Sequence, residues 1–452
     1  MSVQTGINRL YVANRGEIAV RVIEACRKLG IYTVVGVSSA DRQSLASTMA
    51  DRAVCIGPPA ASESYLKMHA VVTAAKETGC DAVHPGYGFL AENAHFQRLC
   101  AEHGLKFVGP PAAAIESLGD KVRARRIASE LEVPVVPGHD DVRSPQTAME
   151  FGQRAGYPFL FKASAGGGGR GMRIVRAPHE VTDAFDSATA EARASFGNPQ
   201  LYIERYVERA RHVEIQVIAD VHGNVVHLGE RDCSIQRRHQ KLIEESPSPV
   251  VDETLRNRMA DSAIRLARHV GYTGAGTVEF LVDLASKQFY FLEVNTRIQV
   301  EHPVTEMVTG VDLVAEQIRV ADGMPLSISQ TGFRPTGHSI ECRINAEQAE
   351  QDFRPSPGLI TQWQPPAGAG IRVDTHCYSG YLVPPYYDSL MAKLIVHGHD
   401  RAAAISAMAH ALGAFRVAGV HTTIPFHQRV LKHADFLKAN ATTRWVEQTL
   451  LK

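Results

Sequence analysis

The sequence lacks several features that would place the protein in a specialised class. Lysine plus arginine and aspartate plus glutamate both total 48, so the formal net charge is zero and no nucleic-acid partner is indicated. No basic segment with an apolar core opens the chain, and no apolar run is long enough to span a bilayer. The 7 cysteines form no Cys-x-x-Cys pair, which predicts reduced thiols. We therefore expect a soluble, cytoplasmic protein without a membrane partner.

The N-terminal part alternates between strand-like and helix-like segments. At 452 residues the chain is too long for one ordinary domain, so two or three domains are expected. Residues 10–13 and 33–37 have the composition of strands, and residues 17–29 between them have an amphipathic helical pattern. The alternation continues to about residue 118, which predicts an α/β domain with a parallel sheet.

Two further regions are predicted after this domain. Residues 135–206 are expected to form a flap, with prolines and a glycine punctuating its entry. Residues 338–447 have the pattern of short strands followed by a helix at 401–412. No internal repeat or low-complexity tract is found.

The chain has its highest density of charged side chains where an apolar strand is predicted to end. Residues 276–282 and 289–294 have the composition of two strands joined by a short turn. If they pair antiparallel, side-chain alternation brings Glu279 opposite Glu293 on one face. Two opposed carboxylates in an apolar setting need a cation, and together with the side-chain carbonyl of Asn295 they suit Mg²⁺. The alternative is that an arginine neutralises one glutamate, or that one points to solvent from an edge strand.

A glycine-rich loop is the second candidate binding element. It is Lys162-Ala-Ser-Ala-Gly-Gly-Gly-Gly-Arg170-Gly-Met172, between the apolar segments 157–161 and 172–175. The match to a dinucleotide fingerprint fails because a strand-like segment, not a helix, follows, and no Walker A lysine is present. The pattern favours a strand-loop-strand flap whose backbone approaches phosphate oxygens, with a flexible linker as the alternative.

Two shorter features have ordinary explanations as well as functional ones. The basic run from Arg237 to Lys241 predicts a local anion site or a solvated face rather than a nucleic-acid surface, because it occurs only once. Cys233 lies inside a charged segment, where a small buried side chain is favoured over a nucleophile.

Several long motifs occur in order along nearly the whole chain. Besides the glycine loop, they are Ala13-Asn-Arg-Gly-Glu-Ile18, His84-Pro-Gly-Tyr-Gly-Phe-Leu-Ala-Glu-Asn93, Arg231-Asp-Cys-Ser-Ile-Gln-Arg-Arg-His-Gln-Lys241, Glu293-Val-Asn-Thr-Arg-Ile-Gln-Val-Glu-His-Pro-Val-Thr-Glu306, Glu341-Cys-Arg-Ile-Asn-Ala-Glu347 and Pro384-Pro-Tyr-Tyr-Asp-Ser389. They resemble biotin carboxylase of the ATP-grasp superfamily. The resemblance implies α/β and α+β architecture: an N-terminal parallel-sheet domain (1–118), an ATP-grasp domain (119–334) with a mobile glycine-rich lid at about 135–206, and a C-terminal biotin carboxylase domain (335–447).

The resemblance also implies an ATP site and a metal site. Lys121 and Lys162 are expected on the ATP phosphates, and the segment around Glu204 is expected to meet adenine mainly through backbone atoms. Glu279, Glu293 and Asn295 are expected to hold Mg²⁺ or Mn²⁺. The full set of residues expected at ATP is Lys121, Lys162, Gly167, Gly168, Gly169, Met172, Glu204, Arg205, Val207, His212, Gln236, His239, Glu279 and Glu293.

Bicarbonate and biotin are the other substrates that the resemblance implies. Arg297 presents a planar fork that matches bicarbonate, and Lys241 and the chain at Gln299 and Val300 add polar contacts. Glu301 is expected to act as the general base, with a structural salt bridge to Arg297 as the alternative. Carboxyphosphate would then break down to CO₂ and phosphate, and the phosphate would deprotonate biotin. Arg343 is expected to stabilise the resulting enolate-like oxygen, with Tyr87 and Gly88 beside the biotin ring.

The remaining expectations concern partners. The biotin attachment motif Ala-Met-Lys-Met is absent, since Met391-Ala-Lys-Leu394 has the wrong order, so a separate biotin carboxyl carrier protein and carboxyltransferase subunits are expected. Relatives of this size commonly form homodimers. The final acceptor, whether acetyl-CoA, another acyl-CoA, pyruvate or another 2-oxo acid, stays open. Two other functions are considered: a different ATP-grasp ligase, and a non-catalytic nucleotide-binding subunit.

Overall fold

The structure is a computed structural model and describes residues 6–164, 172–331 and 334–451. The predicted ATP-site residues Gly167, Gly168 and Gly169 lie outside these ranges. Within the ranges, no helix combines the length and the apolar composition needed to cross a membrane. All seven cysteines are unpaired and six of them are buried, in agreement with the predicted free thiols.

The N-terminal part contains a five-stranded parallel sheet, as the alternation predicted. Its elements are β1 (Arg9–Val12), α1 (Gly16–Leu29), β2 (Tyr32–Ser38), α2 (Leu45–Met49), β3 (Arg52–Gly57), α3 (Met68–Glu77), β4 (Ala82–His84), α4 (Ala94–Glu102), β5 (Lys106–Phe107) and α5 (Ala112–Gly119). The strand order is β3-β2-β1-β4-β5, and each neighbouring pair is parallel. The predicted apolar face of α1, with Ile18, Val22 and Cys26, is buried in the core beside this sheet.

A four-stranded antiparallel sheet follows, in the region of the predicted flap. The elements are α6 (Lys121–Glu130), β6 (Gly138–Val142), α7 (Pro145–Ala155), β7 (Phe159–Ala163), β8 (Arg173–Val175), α8 (Val181–Phe196) and β9 (Leu201–Arg205). The strand order is β6-β9-β7-β8. Phe159 pairs with Val175, so the two apolar segments beside the glycine loop are adjacent strands, as predicted.

The centre of the molecule is built on long antiparallel strands. The elements are β10 (Ala210–Ala219), β11 (Val225–Arg237), β12 (Gln240–Ser246), α9 (Glu253–His269), β13 (Gly274–Asp283), β14 (Gln288–Asn295), α10 (His302–Thr309) and α11 (Leu313–Ala321). The predicted hairpin is confirmed, because β13 and β14 pair antiparallel with Glu279 opposite Glu293. A core that includes Phe280, Phe289 and Met259 fills the space between this sheet and α9.

The C-terminal part continues the central sheet. Its elements are β15 (His338–Asn345), β16 (Glu347–Gln348), β17 (Arg354–Pro355), β18 (Gly358–Leu359), β19 (Gln362–Gln364), β20 (Ile371–Thr375), β21 (Leu382–Val383), β22 (Leu390–Gly398), α12 (Arg401–Ala414), β23 (Arg416–Ala418), α13 (Ile424–Lys432) and α14 (Ala434–Leu437). The sheet has eight strands in the order β14-β13-β10-β11-β12-β15-β22-β20. The helix predicted at 401–412 is confirmed by α12. Single helical turns lie at Ser39–Asp41, Ala61–Glu63, Pro178–Glu180, Ala349–Gln351 and Val446–Leu450.

Candidate active site

Two carboxylates face each other across the β13–β14 hairpin, and basic side chains surround them. Lys241 Nζ lies 2.9 Å from Glu279 Oε1, and His212 Nε2 lies 3.0 Å from Glu279 Oε2. Lys121 Nζ lies 2.8 Å from Glu293 Oε2. The cations expected beside this like-charged pair are therefore two ammonium groups and an imidazole.

The residues predicted to hold a metal are partly brought together. Asn295 donates from Nδ2 to Glu279 Oε1 at 2.9 Å, while its Oδ1 accepts from Arg297 Nη2 at 3.0 Å. Among the described residues, two groups of three possible ligands have ligand atoms within 4.8 Å of one another. One is His212, Glu214 and Glu279, the other is Glu214, Cys233 and Glu301, and neither contains Glu293. The oxygen donors suit Mg²⁺ chemically, yet Glu293 is bound to Lys121 rather than to a site shared with Glu279.

Lys241 lies at the centre of the buried charges. Its Nζ is 2.6 Å from Glu214, 2.9 Å from Glu279 and 2.6 Å from Glu301. Burial lowers the pKa of Lys241, but the surrounding anionic groups outweigh it and raise the pKa well above its usual value. Arg231 holds the other oxygen of Glu214 at 2.6 Å. The ammonium of Lys241 thus contacts three carboxylates, of which Glu214 was not identified from the sequence.

Glu301 sits at the N-terminus of α10 with its carboxylate between two cations. Oε1 is 2.6 Å from Lys241 Nζ, and Oε2 is 3.0 Å from Arg343 Nη2. Burial alone raises the pKa of Glu301, but Lys241 and Arg343 hold it well below its usual range. Cys233 is completely buried, as predicted, and its Sγ lies 3.8 Å from Glu301 Oε1. Burial raises the pKa of its thiol, which disfavours the thiolate that a nucleophile requires.

Arg297 is oriented by a residue from the N-terminal part of the chain. Its Nε lies 2.9 Å from Glu92 Oε2, and the amide of Thr296 donates to the same carboxylate at 3.0 Å. Nη1 donates to Gln299 Oε1 at 2.7 Å. Because Glu301 pairs with Lys241 and Arg343, the alternative of an Arg297–Glu301 salt bridge is wrong. Glu92 belongs to one of the sequence motifs, but its role was not predicted because it depends on a contact between distant parts of the chain.

A second group of predicted ATP residues lies on the four-stranded sheet. Lys162 forms an ion pair with Glu204, which also accepts from Arg125 Nη1 at 2.7 Å. Arg205 donates to the hydroxyl of Tyr290 at 2.8 Å, which fixes its side chain against β14. Val207 is buried, whereas Met172 is half-buried.

The basic run forms the tight turn between β11 and β12. Arg238 and His239 both have positive φ, at 46° and 66°. Arg237 and Arg238 bind the carboxylate of Asp352 from the C-terminal part, so their anion is supplied by the chain itself. Gln236, one residue earlier, is buried and donates to the backbone of Cys233 at 3.3 Å.

His239 connects this turn to the other basic groups. Burial lowers its pKa, Glu447 opposes this, and the charges of Lys162, His212 and Lys121 lower it further. The pKa of His239 is thus lowered by basic groups of the kind that an ATP phosphate site requires. The imidazole of His239 is accordingly neutral near pH 7.

Tyr87, one of the residues predicted to lie beside biotin, contacts a buried ion pair. Tyr87 donates from its hydroxyl to Glu17, and Lys393 Nζ lies 3.0 Å from the same carboxylate. Lys393 also donates to the carbonyl oxygen of Val300 at 2.9 Å. Gly88 is exposed with a φ of 65°. Lys393 is completely buried, so the segment Met391-Ala-Lys-Leu394 offers no accessible amine for biotin attachment.

Comparison with sequence families assigns each part of the chain. Residues 6–115 match the model described as "Biotin carboxylase, N-terminal domain", and residues 341–448 match "Biotin carboxylase C-terminal domain". Residues 120–329 match "Carbamoyl-phosphate synthase L chain, ATP binding domain".

Individual relatives extend over the whole chain. Biotin carboxylase of Nostoc sp. is 52% identical over 98% of this chain and 99% of the relative. Biotin carboxylase 1 of Bacillus subtilis is 53% identical over 98% of this chain and 98% of the relative. The biotin carboxylase domain dimer of Hydrogenobacter thermophilus 2-oxoglutarate carboxylase, solved with MgADP, ADP and bicarbonate, has a TM-score of 0.91 at 47% identity, over 99% of this chain and 98% of that chain. The chain therefore belongs to the biotin carboxylase family of ATP-grasp ligases.

Proposed function

We propose that this chain carboxylates biotin on a carrier protein, using ATP and bicarbonate through a carboxyphosphate intermediate. The observation that carries the proposal is the buried carboxylate of Glu301, held between Lys241 and Arg343 in the segment between β14 and α10 that also bears Arg297. Relatives that cover nearly the whole chain are biotin carboxylases, which supports the same reaction.

The basic groups around His239 form the ATP site in this proposal. Lys121 and Lys162 orient the phosphates. Each lysine is paired with a carboxylate that a phosphate can replace, so its ammonium group is available to bind ATP. His212, Gln236 and the loop glycines 167–169 complete it. Glu279 and Glu293, with Asn295, would hold Mg²⁺ or Mn²⁺, which when bound neutralises charge on the phosphates.

Bicarbonate is held by the fork of Arg297 and by Lys241, beside Gln299 and the backbone of Val300. Glu92 fixes the plane of Arg297 in advance, so less side-chain freedom is lost on binding. Glu301 is ionised and can accept the bicarbonate proton. Lys241 holds the pKa of Glu301 well below its usual value. When bicarbonate accepts one of the hydrogen bonds of the Lys241 ammonium, this pKa rises and Glu301 becomes a stronger base.

Biotin reacts in the second step. Phosphate released from carboxyphosphate removes the ureido proton, and the guanidinium of Arg343 stabilises the negative oxygen that results. Tyr87 and Gly88 lie beside the ring. The hydroxyl of Tyr87 is bound to Glu17, so the ring face of Tyr87 rather than its hydroxyl is the part available to biotin.

We infer that the chain works with other proteins and has three parts, 1–118, 119–334 and 335–447. The family matches at 6–115, 120–329 and 341–448 support this division. A carrier protein and carboxyltransferase subunits would supply biotin and the final acceptor. The dimeric state of the Hydrogenobacter thermophilus domain supports a homodimer.

The test is ADP release from the purified chain with and without bicarbonate and free biotin. The proposal expects ADP release that requires bicarbonate and rises with biotin. Turnover that needs another acceptor instead would assign a different ATP-grasp ligase. ATP binding without turnover under every condition would assign a non-catalytic role in nucleotide binding.

A further inference from the structure

Two glutamates behind Arg343 form an unusual buried pair. Glu244 of β12 lies directly opposite Glu341 of β15 in the antiparallel register. Both side chains have 0% exposure. Like charges placed opposite each other on a sheet repel, and removing each carboxylate from water adds a further cost. Both carboxyls cannot stay ionised here without strong compensation.

The available cations compensate only part of this charge. Arg343 Nε lies 2.6 Å from Glu244 Oε1. In the described part of the chain, Glu244 Oε2 and both oxygens of Glu341 have no hydrogen-bond partner. Lys393 is opposite Arg343 in the sheet, but it is already 3.0 Å from Glu17 and 3.7 Å from Asp374. Three buried carboxyl oxygens thus lack a donor, and a proton on the pair is the simplest donor.

We propose that Glu244 and Glu341 share a proton at neutral pH and act as a positioning pair for Arg343. With the proton in place, the pair has one negative charge, which matches the guanidinium. Arg343 then keeps one nitrogen on Glu244 and leaves another toward Glu301 and the substrate. Loss of the proton adds a second negative charge behind Arg343 and weakens its pull on the biotin oxygen.

The charged and titratable groups around the pair agree with this assignment. Burial raises the pKa of Glu341 well above its usual value; Lys393 opposes this and Glu244 adds to it. Burial raises the pKa of Glu244 to about 7 against the opposing charge of Arg343. The titratable and charged groups that interact electrostatically with the pair, on the neighbouring strands and at the start of α10, are Cys233, Lys241, Cys342, Arg343, Lys393 and Glu301.

The first experiment detects the proton without using the reaction. Infrared spectra of the ligand-free protein at neutral pH are compared with those of Glu341→Gln. We expect the unsubstituted protein to show a carboxylic-acid C=O band that shifts in ²H₂O and is lost in the variant. Glu230→Gln is the matched control, since Glu230 is also buried but is bound through both oxygens to Arg256, so its removal leaves the band. Glu341→Met, apolar and of similar size, replaces Glu341→Gln if that variant does not fold.

The second experiment tests positioning, which rests on the proposed function. We expect kcat of the unsubstituted protein, measured as biotin-dependent ADP release, to fall about 10-fold as rising pH removes the shared proton. In Glu341→Gln, no second carboxyl remains to ionise behind Arg343, so this fall disappears while KM for ATP is unchanged. A band that persists in the variant, or a kcat–pH profile identical in the two proteins, overturns the proposal. An inactive unsubstituted protein would contradict the proposed function, and the infrared result would still decide on the proton.

Discussion

At the scale of the residue, each acidic side chain of the site is paired with a basic side chain, and several of these pairs join distant parts of the chain. Glu279 and Glu293 were placed opposite each other because alternation along two short strands fixes their faces. Glu92 and Glu244 were missed as functional residues, because they approach Arg297 and Arg343 only through contacts between distant parts of the chain. The ammonium of Lys241 between three carboxylates was likewise beyond any local pattern.

Glu301→Gln tests the base directly. The amide keeps the shape, and its single carbonyl oxygen can accept from only one of Lys241 and Arg343, but it does not take a proton from bicarbonate. We expect kcat for bicarbonate-dependent ADP release to fall about 100- to 10,000-fold, as for loss of a general base. The Kd of ATP should change little, since Glu301 is expected to contact bicarbonate rather than the nucleotide.

Glu316→Gln is the control for that substitution. Glu316 is buried and paired with Arg319 on α11, away from Lys241. It should retain turnover even if the melting temperature falls. Unchanged turnover in Glu301→Gln would remove Glu301 from the mechanism.

Glu245 gives a prediction for acid stability. Burial alone would raise its pKa, but His338 and Arg401 outweigh burial and lower the pKa from 4.5 to about 2. Ionised Glu245 therefore stabilises the fold above about pH 4.5, and this contribution of about 3 kcal/mol is lost as pH falls toward 2. Urea unfolding of Glu245→Gln between pH 5 and about pH 2 should show a shallower loss of stability by up to that amount. Equal slopes in the two proteins would contradict this assignment.

At the scale of the element, the β11–β12 turn combines backbone strain with residues of the proposed ATP site. Arg238 and His239 adopt the left-handed region, where non-glycine residues are disfavoured. Asp352 and Phe353, which contact Arg237, have positive φ as well. Strain of this kind persists where surrounding contacts hold it and is common at functional sites. Sequence alone identified the basic run but not the turn.

His239→Gly should separate stability from ATP binding. Glycine relieves the positive φ, so we expect the free energy of unfolding to rise by about 0.5–1 kcal/mol. Loss of the imidazole should raise KM for ATP about 3- to 10-fold.

Lys287→Gly is the matched comparison for the turn. Lys287 also has a positive φ, 54°, in the β13–β14 turn, and it has no predicted ligand role. It should gain similar stability with no change in KM. The same KM change in both variants would show that His239 has no specific part in ATP binding.

At the scale of the whole molecule, the sequence predicted the parts but not how they join. The parallel sheet, the flap strands and α12 follow from local periodicity. The pairing of β12 with β15, which makes one eight-stranded sheet across residue 334, has no local signal. Its core mixes Ile235 and Leu242 with Ile340 and Leu394, so side chains from both parts pack together.

This shared sheet predicts one cooperative unfolding unit. Native-state hydrogen exchange should give the backbone amides of β12 and β15 the same opening free energy at each urea concentration, because the two strands are paired and their side chains pack in one core. A chain truncated after residue 334 should expose the β12 edge and aggregate. Earlier opening of β15 while β12 stays protected would contradict a single unit.

The central claim is that bicarbonate is the nucleophile that attacks the γ-phosphoryl group of ATP. The most direct measurement is turnover in ¹⁸O-labelled bicarbonate with free biotin, followed by mass analysis of the phosphate and the biotin. The account predicts one bicarbonate oxygen in each phosphate and labelled carboxybiotin in equal amount. Phosphate that contains oxygen from water instead would contradict it.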